Sequence, residues 1–280
     1  MNDARPVAGE GADVAAQPPA RPRLSVGVLT MNEAARIERC LASAALVADQ
    51  LVVVDSGSSD GTLDIARRHT PHVHLHADWQ GFGVQRDRML RHLDGDFVFF
   101  LDADEVVTPE LAAEMRAAIA AGGFDAWTIQ WRQFVLGRPL APYLESSRVL
   151  RLFRRDALAG YRAVVHEEPV WSEALGRTPR IGALRARLEH HPRDSVSAAL
   201  KKSTQYAILG AGKRRPAGKR GGVLVGLLSA LRVFIASYAF KLGFLNGARG
   251  FLLASFMAYE NFFKYVIVRY DADIDTPRRG

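Results

Sequence analysis

Apolar runs separated by helix-like stretches organise the first half of the chain. Three continuous runs and one shorter mixed run predict strands, because strands buried on both faces are apolar throughout; they cover residues 24–29, 51–54, 73–76 and 97–101. Segments with helical periodicity follow each strand, at residues 32–45, 63–68, 84–93 and 109–120. Strands that alternate with helices predict an α/β fold, with a parallel sheet covered by helices on both faces.

The pattern changes after Gly122-Gly123. Residues 126–131 alternate between polar and apolar positions, which predicts a strand buried on one face. We expect further strands at residues 147–153 and 180–188, and a helix at residues 194–209. The second half therefore predicts a mixed sheet rather than a continuation of the parallel one.

Three acids end the fourth predicted strand. In open α/β sheets ligands bind beyond the carboxyl ends of the strands, where Asp102, Asp104 and Glu105 fall. Two residues apart on an extended chain, Asp102 and Asp104 would point the same way and repel each other. A divalent cation removes that conflict, and Mg²⁺ or Mn²⁺ prefers carboxylate oxygens together with substrate phosphates. The alternative is that these acids cap the next helix, which Thr108-Pro109 starts.

Two loops on the same predicted edge add polar candidates. Thr30-Met31-Asn32-Glu33 follows the first strand, and Asp55-Ser56-Gly57-Ser58-Ser59-Asp60-Gly61-Thr62 follows the second. Functional loops after strands one, two and four are typical of a nucleotide-binding half-domain. A Gly-x-Gly-x-x-Gly fingerprint is missing from the sequence, which argues against a dinucleotide.

Composition limits the class and the compartment. With 280 residues the chain can bury one large core or two modest ones. A single cysteine, Cys40, excludes an internal disulfide and favours a reducing compartment. Residues 1–22 are rich in Ala, Pro and Gly and lack the apolar core of a signal peptide, so we expect a disordered tail before a domain at residues 23–210.

The last third of the chain combines cations with apolar residues. Residues 211–221 hold five cations and no acid, and they predict a basic linker within a chain of net charge +7. Residues 222–270 are apolar but interrupted by Arg232, Lys241 and Arg249, so no run reaches the ~18 apolar residues of a spanning helix. Their pattern indicates an amphipathic helix in the interface of an anionic leaflet. The alternative is a buried helical hairpin with one solvated face.

Four motifs taken in order resemble family 2 glycosyltransferases, which have the GT-A fold. They are the two loops above, the pattern Trp-x-Gly-Phe-Gly-x-Gln-Arg at residues 79–86, and Asp102-Ala103-Asp104-Glu105. Within that family, Val165-His166-Glu167 and residues 243–251 resemble bacterial lipopolysaccharide inner-core β-glucosyltransferases. Two positions depart from the family pattern, Asp87 for a common Asn and Asn246 for a common Asp.

The resemblance implies a nucleotide-diphosphate sugar as donor, and we expect a UDP-sugar. Asp55 would accept hydrogen bonds from uracil or ribose, with a turn-forming role as the alternative, and Glu33 is a second nucleotide candidate. Asp102 would face the ribose or a water-bridged metal, and Asp104 would hold Mg²⁺ or Mn²⁺ on the diphosphate. Arg86 would add a cation to the same phosphates or form a surface salt bridge.

The resemblance also implies inversion at the sugar, which requires a general base for the acceptor hydroxyl. Glu167 is the predicted base, and His166 is the predicted acceptor contact, alternative base or late metal ligand. His190 and His191 are expected to mark a strand end rather than a site. Three arginines are expected on one strand face, either against phosphates of an acidic lipid-linked glycan or in solvent: Arg148, Arg151 and Arg154.

The activity implied is transfer of a sugar, glucose by resemblance, to a lipid-linked glycan such as the lipopolysaccharide inner core. The enzyme would be peripheral to the cytoplasmic face of the inner membrane. A sugar nucleotidyltransferase is one alternative, although the Gly-rich phosphate loop of such enzymes is missing at Thr30 to Glu33. A basic module that binds membranes or nucleic acid is another; its cations adjoin an apolar tract rather than stacking aromatics, so no nucleic acid is expected.

Overall fold

A computed structural model of the protein describes residues 21–141, 148–162, 168–215 and 221–271. The first half alternates strands and helices as predicted: β1 (Leu24–Thr30), α1 (Ile37–Ala44), β2 (Gln50–Asp55), α2 (Thr62–His69), β3 (Val73–Leu75), α3 (Phe82–Leu90), β4 (Phe97–Asp102), β5 (Glu105–Val106) and α4 (Pro109–Ala121). Thr108 caps α4, because its Oγ1 accepts a hydrogen bond from the Leu111 amide at 3.2 Å. Glu105 begins a short strand of its own, so the acids do not all belong to that cap.

The second half contributes strands and then a long helix: β6 (Ala126–Val135), β7 (Arg138–Pro139), β8 (Arg148–Arg154), β9 (Leu158–Arg162), β10 (Glu168–Trp171), β11 (Ile181–Arg193) and α5 (Val196–Arg214). β11 continues past the predicted end at Leu188. α5 likewise continues through Lys213 and Arg214, the first cations of the segment for which we predicted a linker. The division into domains stays a prediction.

The main sheet of the described residues changes from parallel to mixed in its middle. Its order is β3-β2-β1-β4-β8-β6-β11-β5, with β7 paired to β6. β1 to β4 are parallel to one another, whereas β8 is antiparallel to both β4 and β6. Thr30 pairs with Asp55 and Leu29 with Asp102, so the ends of β1, β2 and β4 lie side by side on one edge. The predicted mixed α/β sheet is confirmed.

Helices pack on both faces of the parallel half of this sheet, which is why β1, β2 and β4 are mostly apolar. One buried cluster joins Val26, Val28 and Phe99 to α1 and α4. The other joins Val54 and Phe100 to α3 and β9. β1 has every residue buried, as expected for a central strand covered on both faces. The packed strands hold the edge that carries the acids in a fixed place.

Two apolar helices form a hairpin against α5. α6 (Val223–Ile235) continues as a π-helical turn (Ala236–Phe240), and the chain returns as α7 (Gly247–Tyr270). The helices are antiparallel, since the Gly222 amide donates to the Tyr265 carbonyl at 2.9 Å. Tyr259 of α7 lies 3.1 Å from Thr204 of α5, oxygen to oxygen. The hairpin is therefore joined to the helix that follows the sheet.

Within the described residues, two segments are long and apolar enough to cross a membrane. They are Val223–Phe240, with mean hydropathy 2.0, and Gly243–Tyr270, with mean hydropathy 1.3. We predicted that the cations at residues 232, 241 and 249 interrupt the apolar tract too often for a membrane-spanning helix. By length and composition that prediction is wrong, because an isolated cation lowers the mean hydropathy of a helix only slightly. Only 11% of each segment is buried. Leu224, Leu228 and Phe240 are mostly exposed, so the outer face of the hairpin is apolar.

Candidate functional site

The loops after β1 and β2 are fastened to each other. Asn32 adopts a positive φ of 56°, and its amide donates to Ser58 Oγ at 2.7 Å. Its side-chain Oδ1 accepts from the Ser59 amide at 2.8 Å. The Glu33 amide donates to Thr62 Oγ1 at 2.8 Å. These bonds fix the position of Glu33 at the edge of the sheet.

Asp55 is fully buried at the start of the second loop. Its Oδ1 accepts from the amides of Gly57 and Ser58 at 2.9 and 2.7 Å, and its Oδ2 accepts from Ser58 Oγ at 2.5 Å. Such bonds are those of an aspartate that shapes a turn. Asp55 therefore builds the loop in this state, and its contact with a nucleotide stays a prediction.

Asp102 lies between two buried arginines from different elements. Arg86 of α3 donates to its Oδ1 at 3.1 Å, and Arg151 of β8 donates to its Oδ2. Burial alone would raise the pKa of Asp102, but the charges of Arg151 and Arg86 hold that pKa below its usual value. Arg86 is only 3% exposed, so the alternative of a surface salt bridge is excluded.

Glu105 is the fourth member of the cluster formed by Asp102, Arg86 and Arg151. It is fully buried, and its Oε1 accepts from Trp131 Nε1 at 2.7 Å and from Arg151 at 3.3 Å. Its Oε2 accepts from the Asp102 amide at 2.8 Å. Burial raises the pKa of Glu105. Glu105 thus holds both the Asp102 backbone and the arginine that neutralises the Asp102 side chain.

Asp104 has different partners because the chain turns at residues 103 and 104. Lys202 of α5 donates to its Oδ2 at 3.0 Å, and His190 Nε2 of β11 lies 3.6 Å from its Oδ1. Burial alone would raise the pKa of Asp104, but His190 and Lys202 hold that pKa well below its usual value. The expectation that both carboxylates extend from one straight strand is therefore wrong, since the turn gives each carboxylate its own set of partners.

An open cavity of about 620 Å³ is lined by Lys202, the lysine that donates to Asp104. Glu33 and Arg36 line one side of it, and Lys201 and Lys202 of α5 line another. Arg36 Nε donates to Glu33 at 2.6 Å, and burial raises the pKa of Glu33 despite that cation. The cavity has the size of a small-molecule site and stands at the carboxyl edge of the sheet.

The residues around Asp104 fit a divalent cation that a ligand helps to hold. Among the described residues no group of three or more His, Cys, Asp or Glu could hold a metal ion by itself. Mg²⁺, however, is commonly held by one or two carboxylates while substrate phosphates complete its oxygen shell. Asp104 Oδ1 is the oxygen farther from its cationic neighbour, and Lys202 is partly exposed and able to turn away.

The structure brings Glu33, Asp55, Arg86, Asp102 and Asp104 to one edge of the sheet, and there the Asp55 side chain accepts hydrogen bonds from the loop that follows it. The predicted catalytic residues, Glu167 and His166, lie outside the described residues. The strands on either side of them pair, Arg162 against Glu168.

Asp87, one of the two departures from the family pattern, anchors the first of those strands. Its Oδ1 accepts from the Tyr161 amide at 2.6 Å, which ties β9 to α3. A Cβ atom at Gly160 would lie 2.8 Å from the same oxygen, so a larger residue there would displace the Asp87 carboxylate. Asp87 therefore has a structural role next to the segment that holds the predicted base.

Two expectations about the second half are corrected. His190 is not merely a strand end, because β11 runs on to Arg193 and the His190 ring stacks on Trp131 at 4.7 Å and faces Asp104. The three arginines of β8 do not share a face, since a spacing of three residues alternates faces on a strand. Arg151 points to the acids, whereas Arg148 is exposed and Arg154 pairs with Asp125 and Asp156.

A mixed α/β sheet with carboxylates and buried arginines at the carboxyl edge of its parallel half is of the GT-A type. The sequence model for glycosyl transferase family 2 matches residues 25–164, half of the chain. The chain therefore belongs to glycosyl transferase family 2.

Relatives with a curated description agree with this assignment. An uncharacterized glycosyltransferase of Rickettsia bellii is 24% identical over 254 residues, which cover 88% of this chain and 86% of that protein. The SPbeta prophage-derived glycosyltransferase SunS of Bacillus subtilis is 26% identical over 157 residues, covering 53% of this chain and 35% of SunS. The similarity to the Rickettsia protein thus includes the C-terminal part of the chain.

Solved structures resemble the fold at low identity. S. aureus TarS in complex with UDP-GlcNAc is 19% identical, with a TM-score of 0.46 over 85% of this chain and 81% of that one. Glucosyl-3-phosphoglycerate synthase from Mycobacterium tuberculosis, in complex with Mg²⁺ and UDP, is 21% identical, with a TM-score of 0.41 over 61% of this chain and 70% of that one.

Proposed function

We propose that this chain is an inverting, metal-dependent hexosyltransferase that moves glucose from UDP-glucose to a lipid-linked glycan such as the lipopolysaccharide inner core. The observation that carries the proposal is the position of Asp104. This carboxylate lies in the turn just after β4, and its counter-ions come from β11 and α5 rather than from the parallel half of the sheet. One of them, Lys202, lines an open cavity. A donor bound at this edge would therefore meet residues of both halves.

On the donor side, Asp104 is the proposed ligand of Mg²⁺ or Mn²⁺, with His190 beside it. When bound, the ion offsets the negative charge that develops on the leaving diphosphate. Asp102 keeps its arginine partners and contacts the ribose or a metal-bound water. Glu33 and Asp55 are the proposed contacts of the nucleotide. Lys202, once released from Asp104, supplies another cation for the anionic donor.

On the acceptor side, Glu167 is the proposed general base and His166 the proposed acceptor contact or alternative base. These roles rest on the resemblance of Val165-His166-Glu167 to the family motif. Transfer with inversion needs a base that takes the proton of the attacking hydroxyl on the face opposite the leaving group. The pairing of β9 with β10 and the bond from Tyr161 to Asp87 support a fixed position for this segment.

The hairpin is the proposed membrane-binding element, lying in the interface at the cytoplasmic face. Its exposed apolar face supports contact with lipid. Both of its ends are attached to the catalytic part: Asn246 Oδ1 at the turn accepts from the Ala141 amide at 3.0 Å, and Gly222 at the start adjoins α5 through Tyr265. A hairpin held at both ends favours lying on the membrane over crossing it.

Turnover of a panel of nucleotide sugars tests the proposed activity. The purified chain with Mn²⁺ should release UDP from UDP-glucose, slowly alone and faster with lipopolysaccharide-bearing lipid extract. Excess EDTA should stop both reactions. A sugar nucleotidyltransferase would instead release inorganic diphosphate from UTP and a sugar phosphate. If neither UDP nor inorganic diphosphate is released, the chain is a non-enzymatic binding module.

Co-sedimentation with vesicles tests the proposed membrane contact. Arg214 packs over Tyr265 at 4.3 Å and Arg215 donates to the Asp271 carbonyl, so these two cations are best left in place. Neutralising Lys213, Lys219 and Arg220 together should weaken binding to anionic vesicles by roughly 10²-fold, at about 1 kcal/mol for each cation.

The matched control removes three exposed cations away from the hairpin, Arg67, Arg68 and Arg185. It should leave vesicle binding unchanged. Equal binding to neutral and anionic vesicles at every salt concentration would rule out the electrostatic part of the contact. An absence of any vesicle binding would favour the hairpin as a packed core element.

A further inference from the structure

A second cavity, of about 300 Å³, lies between the ends of β6 and β11, the middle of α5 and the hairpin. Lys202 and Pro192 line both this cavity and the larger one beside Glu33. His190 also lines it, and that ring faces Asp104. The two cavities therefore meet at the ion pair between Lys202 and Asp104, where the donor diphosphate is proposed to bind.

The charged side chains that line this second cavity are cations. They are Arg193, Lys202 and Lys241, and no aspartate or glutamate in the described ranges lines it. Two of the residues that line this cavity each bury a donor without a hydrogen-bond partner among the described residues, namely Arg193 Nε and Asn246 Nδ2. A buried donor without a partner costs free energy that an acceptor oxygen of a ligand would recover. The polar part of the cavity is therefore suited to an anion rich in oxygen.

The remaining wall of the cavity is apolar and belongs largely to the hairpin. Leu253, Ala254 and Met257 of α7 contribute to it, as do Val135 and Leu140. The other face of the same hairpin exposes large apolar side chains, among them Leu245 and Phe251 next to the turn. A ligand that satisfies both parts of the cavity carries an anionic head and an apolar stem, and it would enter from a lipid surface.

We propose that this cavity binds the phosphate group of the lipid-linked acceptor, with Arg193 and Lys241 as its counter-ions. The inference rests on the proposed glycosyl transfer and names the chemistry of its acceptor: a phosphate ester on an amphiphile. Several cations in one small cavity suit a phosphate better than a single carboxylate, and arginine presents paired donors to phosphate oxygens. The acceptor and the donor would then lie on opposite sides of Lys202, which lines both cavities. This places the two substrates next to each other, as bond formation between them requires.

Titration calorimetry on the full chain in phosphatidylcholine nanodiscs tests this assignment. The probes are hexyl phosphate, hexanol and inorganic phosphate. Hexyl phosphate should bind at least tenfold more tightly than either of the others, because only hexyl phosphate contacts both the cations and the apolar wall. Arg193→Gln and Lys241→Gln should each weaken hexyl phosphate about tenfold, the loss expected for a charge-assisted hydrogen bond.

Two variants with the same loss of charge serve as controls. The controls are Arg185→Gln, on the same strand as Arg193, and Arg232→Gln, on the same hairpin as Lys241. Both arginine side chains are exposed, and neither lines the cavity. Hexyl phosphate should bind both controls as it binds the unaltered chain. Lys241 is itself exposed, so its variant keeps the test valid if Arg193→Gln fails to fold.

Four outcomes would overturn the assignment. They are equal binding of hexanol and hexyl phosphate, equal weakening in the control variants, unchanged affinity in Lys241→Gln, and inorganic phosphate binding as tightly as hexyl phosphate, which would mark a site for free phosphate. UDP binding in the same nanodiscs separates the two proposals. UDP binding without hexyl phosphate binding would overturn this inference alone, whereas a chain that neither binds UDP nor turns over UDP-glucose would overturn the proposed function itself.

Discussion

Asp102 and Asp104 stand two residues apart, yet the structure holds them in different ways. Asp102 is fixed by Arg86 and Arg151, both almost fully buried, and its backbone is fixed by a buried glutamate. Asp104 is held by Lys202, whose side chain is 23% exposed, and by a histidine at 3.6 Å. The partners of Asp102 are fixed in the packed core although the Asp102 side chain itself is 31% exposed, whereas Asp104 can exchange its partner Lys202.

The difference indicates which acid does which work. Removing one partner of a buried ion cluster leaves other charges buried and unpaired, which is costly. A lysine that reaches solvent avoids that cost by turning outward. Asp102 is therefore expected to matter for folding as well as for the donor, whereas Asp104 is expected to matter chiefly for transfer.

Loss of the Asp104 charge should have the largest effect on activity. Asp104→Asn keeps the shape of the side chain and removes the proposed metal ligand, so transfer should fall on the order of 10³-fold. The chain should still fold, with a smaller loss of stability than Asp102→Asn causes. Steady-state transfer and thermal unfolding measure the two effects. Full activity of the unaltered chain in excess EDTA would contradict the metal role.

Loss of Arg151 should have the largest effect on stability. Arg151→Gln removes the cation that neutralises both Asp102 and the fully buried Glu105. The free energy of unfolding should therefore fall by about 3 kcal/mol or more. Arg148→Gln, on the same strand but exposed, is the matched control and should cost less than about 1 kcal/mol. Urea unfolding compares the two. Similar losses in both variants would show that the cluster is not what stabilises this edge.

The fold could be predicted because its signals are local. A strand buried on both faces is apolar throughout, so β1, β2 and β4 are evident from short runs of sequence. Thr108-Pro109 likewise predicts the start of α4 from two neighbouring residues. The turn at residues 103 and 104 left no such signal, and the straight strand expected there was wrong.

The partners of the acids could not be predicted, because they come from distant parts of the chain. Arg151 is 49 residues from Asp102, and Lys202 is 98 residues from Asp104. Nothing in the sequence around Lys202 distinguishes it from the other cations of α5. Arg151 carried a weak signal: it is a cation at the centre of a predicted strand with apolar neighbours, where a buried partner is required.

Substitution of Glu167 tests the proposed acceptor site, whereas Asp102 and Asp104 are proposed to act on the donor. Glu167→Gln keeps the shape and removes the basicity, so transfer should fall by roughly 10²-fold if Glu167 accepts the proton. Glu167→Gln should leave UDP binding unchanged, whereas Asp104→Asn should weaken it. Calorimetry with UDP and an acceptor-dependent assay measure the two. Near-normal transfer in Glu167→Gln together with an inactive His166→Ala would exchange the roles of these residues.

The pH dependence of stability offers the smallest but most direct test of Asp102. The pKa of Asp102 is held below its usual value by Arg151 and Arg86, so folding favours the ionised form. The stabilisation is therefore complete above the unfolded-state pKa of about 3.9 and is lost as the pH falls through the lower folded-state pKa. The unfolding free energies of the unaltered chain and of Asp102→Asn should differ by a constant amount from pH 7 to pH 5, and the difference should shrink in more acidic solution. Asp156→Asn, at an exposed pair with Arg154, is the control and should show little difference at any pH. A difference that stays constant as the pH falls below about 4 would mean that the arginines do not lower the pKa of Asp102 in solution.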